Sequence, residues 1–150
     1  PLLDIRKKYI NTAFGIESFD QKVLPKNYPK IINYLRLSSN LNDDEAQYYL
    51  GRLHYYGKYL PFNVNKIIQY FSLSANQNNK RALSWMGSIY FKNEIIKQDI
   101  KKVIYYFERA SSLNDPYAQF LLARIYFDNK FIPRNIIKAI YMVILHQRII

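Results

Sequence analysis

A period of 36 residues governs this chain. The segment Ala46 to Asn78, AQYYLGRLHYYGKYLPFNVNKIIQYFSLSANQN, returns without a gap as Ala82 to Asn114 and again from Ala118 onward. A degraded copy runs ahead of it from Ile10. Below the Ala46/Ala82/Ala118 column lie Phe14, Leu50, Met86 and Leu122, each followed by a small residue: Gly15, Gly51, Gly87 and Ala123. Then come Ser18, His54, Tyr90 and Tyr126. The second half of the unit aligns Asn27, Asn63, Asp99 and Asn135, then Lys30, Lys66, Lys102 and Lys138, then Ile31, Ile67, Val103 and Ala139. Leu35, Phe71, Phe107 and Val143 close the pattern. A fixed period of this length marks stacked units, none of which can bury its apolar side alone.

Each column has a physical job. Ala, Leu four residues on and Tyr four further form one face of a helix. The small residue after Leu lets a second helix approach the backbone; a side chain there would push it away. Asn or Asp three residues before the Lys is placed to accept from a free backbone N–H at a helix start. Lys in a first turn does not suit the helix dipole and is assigned to a surface. Asn42, Asn78 and Asn114 follow the second helix of their units, where a left-handed residue is needed and Asn tolerates it. Pro25, Pro61 and Pro133 end the first helix just before the cap. The expected fold is all-α, about four helix pairs over residues 10–45, 46–81, 82–117 and 118–150, read as one domain.

The order Ala-x3-Leu-Gly-x2-Tyr, then Asp/Asn-x2-Lys, then Tyr-Tyr, resembles the Sel-one-like repeat, which is itself similar to the tetratricopeptide repeat. The resemblance runs from about Ile10 to the end. It implies an α-solenoid of antiparallel helix pairs wound into a right-handed superhelix, acting as an adaptor within complexes rather than as an enzyme. The chain departs from the family pattern where Asn replaces the glycine after the second helix and His54 replaces Tyr.

Composition narrows the chemistry. There is no cysteine, hence no disulfide framework and no thiolate metal site. No apolar run has the length of a membrane span, and no secretory signal precedes the repeats. A cytoplasmic or organellar interior is therefore expected over secretion. Two histidines are present. His54 shares its column with Tyr90 and Tyr126 and reads as a packing residue, and His146 has no evident catalytic partner. No HExxH, GxSxG, P-loop or GxGxxG pattern occurs, so no catalytic residue, cofactor or metal is expected. Net charge is +11, which points to an acidic partner, RNA included. It is equally what an AT-rich genome produces through its excess of Lys, Asn, Ile and Tyr codons.

Two surfaces are candidates for binding. In tetratricopeptide-like stacks the first helix of each pair lines a concave groove. That register nominates Tyr48, Arg52, Tyr55 and Tyr56, then Ser88 and Lys92, then Phe120 and Arg124. Tyr, Phe and Arg are the residues of binding hot spots. Phe19, Tyr55, Phe91 and Phe127 recur in every copy, as a core position does, whereas Tyr48, Arg52, Tyr56, Phe120 and Arg124 vary between copies and are the better candidates. The second surface is a basic edge of intra-repeat loops: Lys22, Lys26, Lys58, Lys97, Lys101, Lys130 and Arg134. The leading expectation is a scaffold holding an extended segment or helix of a protein partner in the groove, inside a larger complex. The alternative is a protein of RNA or ribonucleoprotein particles using the basic edge. The last helix keeps Ile137, Ile140, Met142, Val143, Ile144 and Leu145 and is apolar nearly all round, so it is expected to be covered by further chain or another molecule.

Overall fold

The computed structural model describes residues 28–148, and every regular element among them is an α-helix. In chain order these are α1 (Tyr28–Asn40), α2 (Asp44–Tyr56), α3 (Val64–Asn76), α4 (Lys80–Lys92), α5 (Ile100–Ser112), α6 (Pro116–Phe127) and α7 (Ile136–Gln147). The first helix of the copy that begins at Ile10, the cap Asn27 and the loop lysines Lys22 and Lys26 lie outside the described residues. The chain divides into two compact units, one ending at Ser74 and the other beginning at Ala75.

The repeat columns become equivalent positions. Ala46, Ala82 and Ala118 each occupy the third residue of their helix and are fully buried, as are Leu50, Met86 and Leu122. The second-helix columns follow: Ile67, Val103, Phe71 and Phe107 are buried without remainder. Capping is as local chemistry requires. The Oδ1 atoms of Asn63, Asp99 and Asn135 accept from the backbone N–H of Lys66, Lys102 and Lys138 at 3.0, 3.1 and 3.0 Å. Asp43, Asn79 and Asp115 cap α2, α4 and α6 in the same way. Asn42, Asn78 and Asn114 sit at φ of 62°, 61° and 61°, so Asn performs the left-handed turn that ends each second helix. A second left-handed column, Gly57 and Asn93, ends the first helices α2 and α4.

The small-residue column shows how closely the helices of a pair meet. A Cβ on Gly51 would stand 2.9 Å from the Phe71 ring, and one on Gly87 only 2.6 Å from the Phe107 ring. In these two pairs a phenyl ring thus packs directly on bare backbone. In the last pair both members change together: Ala123 stands where Gly is, and Val143 where Phe is. In the second unit α4 packs on α5, α5 on α6 and α6 on α7.

Candidate partner-binding surface

The first helices carry the nominated side chains, but they treat them unequally. In the first unit Tyr48 is interior, 4% exposed, with its ring 5.2 Å from that of Tyr49 and 6.0 Å from that of Phe71. This corrects its expected place on an open surface, although Phe120 in the same column is half exposed. Arg52 is also buried, its guanidinium 5.6 Å from the Tyr48 ring centre and 5.7 Å from that of Tyr56. What reaches the surface of α2 is Tyr56, 39% exposed, with Tyr55 half-buried edge-on to it at 5.3 Å. Arg52 therefore holds an aromatic face from beneath.

In the second unit α6 presents Phe120, half exposed, with the exposed Arg124 guanidinium 5.8 Å above its ring. On α4, Ser88 and Lys92 lie one turn apart. They line a cavity of about 230 Å³ with Ser84, Trp85 and Tyr117. Trp85 shares its column with Tyr49 and Leu121. The Ser84 hydroxyl, at the wall of this cavity, is buried without a hydrogen-bond partner among the described residues. Phe127, expected to behave as a core position, is 55% exposed, whereas Phe91 is half-buried against Phe131, ring centres 5.5 Å apart.

The loop cations have local partners. The Arg134 Nε–H donates to the Phe127 carbonyl at 2.9 Å, and its guanidinium lies 5.2 Å from the Phe127 ring centre. One period earlier the Gln98 side chain makes the same bond to the Phe91 carbonyl at 2.7 Å. Asn93 and Asn129 complete both loops by accepting from the backbone of residues 98 and 134. Arg134 is thus a loop-closing residue, and the signal for it, a Gln/Arg column paired with an Asn column, is present in the 36-residue register. Lys58 and Lys130 lie over the rings of Tyr59 and Phe131 at 5.2 and 5.1 Å. Lys97 and Lys101 are exposed. The repeat lysines assigned to a surface are exposed there, each against a tyrosine ring: Lys66, Lys102 and Lys138 lie over Tyr70, Tyr90 and Tyr126 at 5.8, 4.7 and 5.0 Å. The Tyr90 hydroxyl, bonded to the Lys102 ammonium, raises that lysine's pKa. His54 stacks on Tyr70 at 5.9 Å, as Tyr90 stacks on Tyr106 at 6.0 Å, which confirms its packing role.

Among the described residues no group of His, Asp and Glu is placed to hold a metal ion, and no helix is long and apolar enough to cross a membrane.

The model of the Sel1 repeat matches residues 44–79, 80–115 and 116–143, three consecutive segments in the register of the helices. The chain belongs to the Sel1 repeat family. Its fold is the all-α helical-repeat solenoid of that family. A Sel1 repeat protein of Oxalobacter formigenes superposes with a TM-score of 0.81 at 20% identity, over 100% of this chain and 59% of the other. A protective antigen of uropathogenic Escherichia coli with an SLR fold gives 0.78 at 16% identity, over 98% of this chain and 30% of that one. Cysteine rich protein B of Helicobacter pylori gives 0.62 at 22%, over 81% and 94%. The chain thus spans 59% and 30% of the length of the first two. No curated protein matches by sequence. Sel1 repeat proteins are in general helical-repeat scaffolds for protein–protein interaction.

Proposed function

We propose that this Sel1 repeat chain is a non-enzymatic adaptor that holds an extended segment or helix of a protein partner against its first-helix faces, as a subunit of a larger complex. One observation supports this above the others. Each unit offers an aromatic ring at its surface backed by an arginine: Tyr56 over Arg52, and Phe120 beside Arg124. Tyr56 and Phe120 are 39% and 50% exposed. Rigid rings that need no ordering on binding, with a planar cation against them, are the material of hot spots. Between them in sequence, Ser88 and Lys92 supply a hydroxyl and a cation for a backbone carbonyl or an acidic side chain.

The test is affinity capture from native extract with the intact chain and with Tyr56→Ala plus Phe120→Ala. Both positions are surface-exposed, so the variants are expected to keep the helical circular dichroism of the parent. A partner retained by the parent and lost from the double variant supports the reading. Equal retention by both refutes it.

A further inference from the structure

Two serines set the α4 face apart from the first-helix faces on either side of it. One period earlier the columns of Ser84, Ser88 and Lys92 hold Tyr48, Arg52 and Tyr56, and one period later Phe120, Arg124 and Asp128. In both of those repeats the arginine lies against the ring one turn before it, at 5.6 and 5.8 Å. On α4 the serines replace the ring and the guanidinium, and the side-chain volume they give up leaves the cavity of about 230 Å³ that Trp85 and Tyr117 wall. Ser84, Ser88 and Lys92 follow one another a turn apart, so two hydroxyls and an ammonium share one stripe of the helix. None of these three side chains has a hydrogen-bond or ion-pair partner among the described residues, and the Ser84 hydroxyl is buried in that state. No carboxylate is among the lining residues.

We infer that this cavity is a recognition site for one acidic side chain, glutamate or aspartate, of the partner segment. The inference rests on the adaptor reading and deepens it by naming what the segment carries at this point. The donor set selects the charge. A carboxylate accepts at both oxygens and can take the two hydroxyls and the ammonium together, whereas an apolar occupant would leave the Ser84 hydroxyl unpaired in the interior. A cationic group would meet Lys92 and find no acid in the wall. A phosphoryl group carries nearly two charges and is best matched by arginine forks; here one lysine is present, and the arginine of the column is Ser88. The methylene stem of the acid has the half-buried Trp85 ring and the 48% exposed Tyr117 ring to lie against. Those rings supply the buried area, while the exposed Lys92, screened by solvent, fixes the sign of the charge more than the affinity. The net charge of +11 draws acidic segments towards the chain in the first place.

Trp85 is the only tryptophan of the chain, so indole emission reports on this wall alone. A phage library of random peptides is panned on the intact chain, and a selected peptide free of tryptophan is titrated against it by Trp85 fluorescence. The result expected is a consensus with one Glu or Asp beside apolar residues, and a saturable change in emission. Replacing that acid by its amide in the peptide should weaken binding about fivefold. Lys92→Gln, an exposed substitution that leaves the core untouched, should make the acid and amide peptides bind alike. Ser84→Phe, which gives the site the ring its column holds at Phe120, should abolish the emission change. Should circular dichroism show Ser84→Phe unfolded, the Lys92→Gln titrations carry the test alone. A selection without an acidic consensus, or a selected peptide that leaves Trp85 emission unchanged, overturns the inference. So does equal binding of the acid and amide peptides by the parent. Glutarate shifting the emission as strongly as the peptide at equal concentration overturns it too, since a free small carboxylate would then be the ligand. Failure of the adaptor reading shows itself separately, as partner capture that survives the Tyr56 and Phe120 substitutions.

Discussion

At the scale of single residues the pairing of Gly with Phe decides how the helices of a repeat fit. Gly87 leaves 2.6 Å between a would-be Cβ and the Phe107 ring, well inside contact distance. Gly87→Ala therefore forces the ring or a helix to move and should destabilise the fold by about 1–3 kcal/mol, the range for overpacked cores. Phe107→Val alone opens a void and should destabilise by about 1–3 kcal/mol, somewhat less than full truncation to Ala. The chain itself holds the combination that fits, Ala123 with Val143. The double variant Gly87→Ala/Phe107→Val should accordingly be more stable than the sum of the single changes implies, with a coupling on the order of 1 kcal/mol. Urea unfolding of the four proteins measures it, and strict additivity would show that the two positions do not share one contact. The approach of a helix to the small residue was legible in the sequence because Gly recurs there. Its partner ring was not, since periodicity aligns columns without saying which columns touch.

Between elements, α6 is tied to both neighbours through one carboxylate. The Tyr126 hydroxyl of α6 donates to Glu108 of α5, and Lys138 of α7 stands 3.7 Å from the same Glu108 while lying over the Tyr126 ring. Burial first, and then the hydrogen bond and charge of Glu108, push the Tyr126 pKa well above its ordinary value of 10.0. The folded state therefore holds this phenolic proton when the unfolded state has released it. The contribution is fully present below pH 10 and is lost as pH rises beyond it. Tyr126→Phe should be less stable at neutral pH by about 1 kcal/mol for the lost hydrogen bond. Its stability should nonetheless fall less steeply than the parent's above pH 10. Thermal unfolding at a series of alkaline pH values checks this, and parallel curves would refute it. The caps of the second helices and the left-handed turns after them were legible because each is written in adjacent residues: Asn63 before Lys66, Asn78 after α3. The surface was less so. Tyr48 and Arg52 vary between copies and read as exposed, yet neighbouring rings bury them. The loop cations read as a free edge, yet Arg134 closes its own loop. Both depend on tertiary contacts that no periodic pattern specifies.

For the molecule as a whole the net charge of +11 is the property that no single contact explains. A polyanion will be attracted at low ionic strength whatever the biological partner, so attraction alone does not favour the RNA reading over the adaptor reading. The two differ in how binding responds to salt and sequence. Counterion release makes the affinity for a single strand fall with a log–log slope of roughly 0.7 per phosphate contacted, so about four contacts lose roughly fifty-fold between 50 and 200 mM salt. Lys58, Lys130 and Arg134 rest on rings of their own loops, and Lys97 and Lys101 are exposed. That set offers point charges with no repeated polar pair to read bases. Binding to oligo(A) and oligo(U) should thus be equal, weak at physiological salt, and reduced alike for both by Lys97→Gln plus Lys101→Gln. A protein partner held mainly by apolar burial of the Tyr56 and Phe120 rings, which salt does not weaken, should persist at the same ionic strength. An affinity for one RNA sequence that survives 200 mM salt with a shallow slope would reverse this ordering and make the basic loops the principal binding surface.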